Sequence, residues 1–372
     1  MKRTLAILLI LTLVPWTALA EFSASSQVYD PALADWALQI AGLCYMTSIQ
    51  EAVLSLDGYA KVGEYNFDRA EDDPRHVAAY ALYDRPLEGG GTGVIIAVRG
   101  TGTGEWKLNM ELMPSGDYTL DYAENFFLAA QDVLDTQADY LDGLENPVFL
   151  VTGHSRGAAV ANVLAASLSD RFGPENVFGY TFATPRTVRG DYPAYENIFN
   201  LINPCDLVTY LPFPQWGFER YGTDLLLPVD EAGHELLAEA QAAYAARTDQ
   251  SGPFRTLPGG SAVTQTLVEN MAALLPSMEE DFTLRHALAH PGEAAEGEDG
   301  LTAGEFFLLL MEGNLFAQGH TSEAWQRLTQ ADNDFTPLLA GMQALADQDT
   351  AAAIAFSHMP ACYGAWMTAG MK

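Results

Sequence analysis

The residues Gly153-His154-Ser155-Arg156-Gly157 stand directly after the apolar run Val148-Phe149-Leu150-Val151-Thr152 and directly before Ala158-Ala159-Val160-Ala161. A strand that turns into a helix within five residues, with serine at the apex and glycine on both sides, admits few folds. The serine has to occupy a sharp, strained turn, and a side chain at either flank would collide with the neighbouring strand or helix. This is the context of a nucleophile elbow, and it makes Ser155 the candidate nucleophile. The small residues after it allow a helix to lie close on a sheet.

The surrounding chain alternates in the way a layered α/β domain requires. From Asp30 to Leu56 the apolar positions Leu33, Trp36, Ala37, Ile40, Ala41, Cys44 and Tyr45 recur at three- and four-residue steps, which predicts one amphipathic helix packed on a sheet. The runs His76 to Tyr83 and Gly93 to Val98, separated by Gly89-Gly90-Gly91, predict a strand pair with which the sheet begins. A helix over Tyr122 to Leu144, a strand over Val148 to Thr152 and a helix over Ala158 to Phe172 follow, and then strands over Val177 to Phe182 and Ile198 to Ile202. Beyond Asp230 the character changes. Ala-rich stretches over Glu235 to Arg247, Ala262 to Leu275, Glu305 to Leu315, Ala324 to Leu328 and Phe335 to Ala346 are divided by Gly/Pro segments and by the acidic run Glu293 to Asp299. They predict a helical insertion, with Thr302 and Glu305 as a capping box for one of its helices. The expected organisation is a core over residues 21–229, an insertion and possible cap over 230–345, and the end of the core over 346–372.

The first twenty residues carry Lys2-Arg3, an apolar stretch from Leu5 to Val14 and Ala18-Leu19-Ala20 before Glu21, the three regions of a secretory signal peptide cleaved after Ala20. The apolar stretch is too short to span a bilayer comfortably. Without Lys2 and Arg3, the 18 Lys and Arg of the chain fall to 16 against 49 Asp and Glu, a formal charge of −33 where the whole chain has −31. Such a charge excludes nucleic acid as a partner and disfavours anionic membrane surfaces, so transient contact is expected only with a neutral lipid surface. Cys44, Cys205 and Cys362 allow at most one disulfide and show no metal-ligand spacing, and the bridging of Cys205 to Cys362 is left open. Neither a metal nor another cofactor is expected.

Val98-Arg99-Gly100-Thr101 ends a strand where a backbone N–H can face a developing oxyanion. This segment with Trp106, then Gly153-His154-Ser155-x-Gly157, then Thr181-Phe182-Ala183-Thr184-Pro185-Arg186, then Asn203-x-x-Asp206-x-Val208 with Pro212, occur in the order of the fungal-type, class 3 lipases. The chain resembles a bacterial, secreted member of that family over residues 30–228 and again over 350–366. The resemblance implies an α/β-hydrolase fold, a three-layer sandwich with a mostly parallel central sheet, and Asp206 as the acid of a Ser-His-Asp triad. The residues agree, because Asp206 follows the strand Ile198 to Ile202 and the chain order Ser, Asp, His is that of the fold. Order alone leaves His234, His286, His290, His320 and His358 open, all C-terminal to Asp206. The family carries its histidine near the domain's end, commonly five residues before a tyrosine, which implies His358 with Tyr363. It also implies the Thr101 and Arg156 N–H groups as the oxyanion hole. His154 is read as a structural residue of the elbow.

Three departures stand out. Arg156 replaces a common leucine, Ala123-Glu124-Asn125-Phe126 replaces a His-x-Gly-Phe segment, and the span from Asp206 to His358 is long. The amphipathic stretch Gly102 to Pro114 lies where the family often has a lid. The implied activity is hydrolysis of carboxylic esters, of neutral lipids first. The alternatives are a soluble-ester, feruloyl-type esterase and a non-catalytic secreted binding protein on the same fold.

Overall fold

The computed structural model describes residues 25–65, 78–101, 120–230, 233–247, 253–273 and 347–371. The leader, the segment Gly102 to Pro114 with Trp106, the capping box at Thr302, and His286, His290 and His320 lie outside the described residues. Helices α1 (Pro31–Leu43) and α2 (Thr47–Leu56) precede strands β1 (Ala60–Tyr65), β2 (Tyr80–Pro86) and β3 (Thr92–Val98). Then come α3 (Glu124–Thr136), α4 (Ala138–Asp142), β4 (Pro147–His154), α5 (Arg156–Phe172), β5 (Val177–Phe182), β6 (Val188–Arg189), β7 (Ile198–Ile202), β8 (Phe218–Glu219) and β9 (Thr223–Leu226). Helices α6 (Gly233–Arg247), α7 (Ser261–Ala273), α8 (Gln348–Ser357) and α9 (Pro360–Gly370) follow.

Among the described residues seven strands form the central sheet, in the order β1-β2-β3-β4-β5-β7-β9. From β3 to β9 every pairing is parallel, and β1 and β2 extend the β3 edge antiparallel. The antiparallel start follows from the tight connection through Gly89, Gly90 and Gly91, each at positive φ, where only glycine is unstrained.

The alternation of side chains along each strand divides the core into two layers. Val94, Ile96 and Val98 of β3, with Phe149 and Val151 of β4, pack under Phe126, Ala130 and Val133 of α3 and Val160, Val163 and Leu164 of α5. Ile95, Ala97, Leu150, Tyr180, Phe182, Phe199 and Leu201 pack on the other face against Trp36, Ala37 and Ile40 of α1 and Tyr363, Trp366 and Met367 of α9. The result is the expected three-layer sandwich with a mostly parallel central sheet. Ala240 and Tyr244 of α6 are buried in the second layer, where α6 packs along α9.

Several boundaries differ from expectation. The sheet begins with β1 rather than β2, and β2 starts at Tyr80 instead of His76. β1 is an edge strand with an almost wholly exposed face, so it lacks the apolar run that marks a buried strand. The helix expected from Asp30 to Leu56 is two helices, broken at Met46 with φ −139° and ψ 63°. Gln50, buried in α2, turns back to donate to the Ile40 carbonyl at the end of α1 (2.9 Å) and accepts from the Tyr83 hydroxyl (3.0 Å). The first of those bonds satisfies a carbonyl at the end of α1, and the second ties the break to β2. The helix expected over Tyr122 to Leu144 is likewise divided, into α3 and α4 at Gln137.

Candidate active site

β4 delivers Gly153 and His154 to Ser155, whose φ of 59° and ψ of −131° are strained for any residue with a Cβ, and α5 begins at Arg156. The bend is fixed from two sides. The Ser155 N–H donates to the Phe182 carbonyl on β5 (3.0 Å), and the Ser155 carbonyl accepts from Ala158 N–H (2.8 Å). A Cβ at Gly153 would strike the Gly157 carbonyl, and one at Gly157 would strike the Val98 and Arg99 main chain. Glycine is therefore required at both positions. Gly100 is equally constrained, because its backbone passes the Tyr45 hydroxyl, the His154 carbonyl and Ser155 Cβ. This brings the end of β3, and with it half-buried Thr101, beside the elbow. The positive end of the α5 dipole also lies at Ser155.

The opposite wall of the site comes from the last part of the chain. α8 ends at Ser357, and His358 caps it with helical φ and ψ before α9 starts at Pro360. His358 Nε2 lies 2.9 Å from Ser155 Oγ, and its Nδ1 lies 2.8 Å from Asp206 Oδ2. Asp206 follows β7 and opens a 3₁₀ turn, where its Oδ1 accepts from the Val208 N–H at 3.0 Å. Asp206 Oδ2 also accepts from the Tyr363 hydroxyl (2.9 Å). A carboxylate only accepts, so the imidazole carries its proton on Nδ1 and leaves Nε2 open to the serine O–H. Ser155 and Asp206 are 5% and 1% exposed, which keeps water from competing for these bonds.

A set of buried polar groups holds the acid turn and the histidine junction together. The Tyr363 hydroxyl accepts from Asn203 N–H at 3.1 Å while donating to Asp206. Burial pushes its phenol well up, so it remains a donor throughout the working pH range. Asn203 Nδ2 donates to the Ser357 carbonyl (2.9 Å), and its Oδ1 accepts from Cys205 N–H (3.0 Å). The Cys205 carbonyl in turn accepts from the Ser357 hydroxyl (2.8 Å) and from Thr264 on α7 (3.0 Å). Ser357 and Thr264 carry no sequence signal of this role, whereas Asn203 stands in the Asn-Pro-x-Asp segment. All three cysteines are free and buried, and burial raises their thiols, Cys44 and Cys205 to about 12 and Cys362 well above the usual thiol range.

Ser155, Asp206 and His358 are thus brought together, with Arg156 and Thr101 beside them. Of the remaining candidate histidines, His234 lies on α6 with its side chain outside the described residues, and His286, His290 and His320 also lie outside them. An arrangement of this kind can deprotonate the serine and stabilise the resulting imidazolium. Among the described residues no group of acidic, histidine or cysteine side chains could hold a metal ion, and no helix is long and apolar enough to cross a membrane.

Residues 96–216 match the family model of the lipases (class 3), a stretch that contains Ser155 and Asp206 but ends well before His358. No curated protein matches the chain. Among solved structures, the Rhizomucor miehei lipase propeptide complex is 17% identical with a TM-score of 0.39, over 53% of this chain and 66% of that one. A lipase from Rhizopus microsporus var. chinensis is 16% identical with a TM-score of 0.42, over 57% and 81%. The mono- and diacylglycerol lipase of Aspergillus oryzae is 18% identical with a TM-score of 0.40, over 51% and 77%. The family match covers about a third of the chain, and together with the triad it supports a carboxylic ester hydrolase.

Proposed function

We propose that this chain is a secreted serine hydrolase that cleaves the carboxylic ester bonds of neutral lipids through an acyl-serine intermediate. The observation that carries the proposal is the unbroken hydrogen-bond line from Ser155 Oγ through His358 to Asp206, 2.9 Å and 2.8 Å in its two links, inside a strand-turn-helix elbow. His358 Nε2 takes the serine proton as Oγ attacks the ester carbonyl carbon, whose oxygen becomes the oxyanion. The backbone N–H groups of Thr101 and Arg156 receive that oxyanion, and loss of one such donor costs about 3 kcal/mol in the barrier. Collapse of the intermediate breaks the carbon–alkoxide bond, and His358 hands its proton to the departing alcohol. Water then gives a proton to His358 and attacks the acyl carbon; the acyl–Oγ bond breaks, His358 returns the proton to Ser155 Oγ, and the carboxylic acid departs. Asp206 stays ionised throughout, holding the tautomer and balancing the imidazolium.

A neutral lipid is favoured over an anionic one by the strongly negative charge of the chain. Export is supported by the basic, apolar and small-residue regions of residues 1–20. The test is the initial rate of p-nitrophenyl ester hydrolysis from acetate to palmitate by mature protein, beside Ser155→Ala, Asp206→Asn and His358→Ala. A long-chain optimum lost in all three variants supports the proposal. An optimum at acetate or at aromatic acyl groups assigns a soluble-ester esterase, and an inert wild type that takes up no fluorophosphonate at Ser155 leaves a binding protein.

A further inference from the structure

The residue before the nucleophile has a place in the site that its position in the elbow does not require. Side chains alternate along β4, so Leu150, Thr152 and His154 face the layer of α1 and α9. There the His154 ring meets the α8–α9 junction. Its Nε2 lies 2.8 Å from the main-chain carbonyl of His358, and the two imidazole centroids are 4.8 Å apart. That carbonyl belongs to the residue capping α8, whose last carbonyls have no partner within the helix. A carbonyl can only accept, so His154 carries its proton on Nε2. The bare Nδ1 has no hydrogen-bond partner among the described residues.

We infer that His154 is a positioning residue, whose Nε2–H ties the backbone of His358 to the strand that carries Ser155 and so fixes the distance between nucleophile and base. The inference rests on the hydrolase reading above. From the acid side the same junction is held by Asn203 on the Ser357 carbonyl and by Ser357 on the Cys205 carbonyl. His154 supplies the matching tie from the serine side. Without it, the junction would be tied from the acid side alone, and the bond from His358 to Ser155 is one that each turnover breaks and remakes.

The chemistry also calls for a donor without charge. A lysine or arginine at this place would set a cation against a ring that must itself become an imidazolium. His154 is 4% exposed, and burial together with the neighbouring His358 pushes its titration down to about 3. It therefore donates in every working state of the site, and its proton is not available to serve as an acid.

The test compares His154→Leu, which fills the space without a donor, with His154→Gln, whose amide reaches the same carbonyl. A displacement of the base on the ångström scale predicts a fall in kcat of roughly 10- to 100-fold in His154→Leu, with KM within about twofold. His154→Gln is expected to recover at least about tenfold of that loss. Fluorophosphonate inactivation of Ser155 should follow kcat across the variants, since it needs the same proton transfer and no ester. A proton NMR spectrum reads the geometry without any turnover: the downfield signal of the His358 Nδ1–H bound to Asp206 should be sharp in the wild type and His154→Gln, and broadened or lost in His154→Leu. If Leu and Gln variants lose activity equally, in proportion to lost thermal stability and with that signal intact in both, His154 only fills space and the inference is overturned. A wild type inert to fluorophosphonate but showing the same change of signal sinks the hydrolase reading alone and sustains the tie.

Discussion

His154 should make this protein acid-sensitive in a way that can be calculated. In the unfolded chain its imidazole titrates at the ordinary 6.5, and in the fold only at about 3. Between those values the unfolded chain binds a proton that the native one does not, so stability falls as pH drops below 6.5 and the loss is complete near 3. At pH 5 the unfolded state gains about 2 kcal/mol from this one group, against a few tenths at pH 7. Glutamine does not titrate. The carboxylates of the rest of the chain are common to both proteins, so the wild type minus His154→Gln isolates the term. The assay is urea unfolding followed by tryptophan fluorescence at pH 7, 6 and 5. The stability difference between the two proteins should move by about 2 kcal/mol in favour of the variant over that range. Parallel loss of stability in the two would mean that His154 takes up a proton in the native state, and the neutral, buried donor would have to be abandoned.

Other perturbations follow from the same geometry. Tyr363→Phe strips the hydroxyl shared by Asp206 and the Asn203 N–H, both buried, and should cost about 1–3 kcal/mol of stability in urea unfolding, with kcat reduced more than KM is raised. Gly153→Ala drives a Cβ into main chain that cannot yield, so a loss of about 3 kcal/mol or more, visible as low soluble yield and a lowered Tm, is expected. Gln50→Leu removes the amide donor to the Ile40 carbonyl, which keeps the weaker Cys44 thiol, and takes the buried acceptor from the Tyr83 hydroxyl, a loss of about 2 kcal/mol in the same unfolding assay. Ser155→Gly and Ser155→Ala should both be inactive, but the glycine variant should be more stable by about 1 kcal/mol or more, because φ of 59° with ψ of −131° strains any Cβ; equal Tm values would show that the turn stores no such strain.

What could be read from the sequence was what the chain encodes locally. β5 and β7 fall at the expected residues because parallel strands buried on both faces are continuous apolar runs. The elbow is local too, and Ser155 with its glycines needs no distant information. β1 and β9 escaped notice, because edge strands alternate polar and apolar residues too weakly to differ from loops. The break between α1 and α2 has no glycine or proline to announce it. It exists because a residue ten positions on returns to cap the first helix. The base is the extreme case, as His358 meets Asp206 across 152 residues and Ser155 across 203. Chain order narrows the histidine to five, and only the family pattern or the fold chooses among them.

The same distances explain why the site and the stability of the C-terminal helices are coupled. His358 sits at a junction of two helices, and a junction moves with whatever holds them. α9 is pinned by Tyr363, Trp366 and Met367 in the core layer, and along its outer side by α6, where Gly364 leaves space for the Arg247 guanidinium and Arg247 bridges to Asp35 on α1 and to Thr368. α6 belongs to the stretch whose composition reads as separate from the core, yet it closes the layer that carries the base. Cavities made there, for instance at Tyr244 between Phe254 and Phe356, would loosen the α8–α9 junction before they reached the elbow, which β4, β5 and α5 hold independently. Damage at α6 should therefore separate base from nucleophile while leaving Ser155 in its strained turn. Nucleophile and base are built on separately supported halves, and the hydrogen bonds of His154, Asn203 and Tyr363 are what align them.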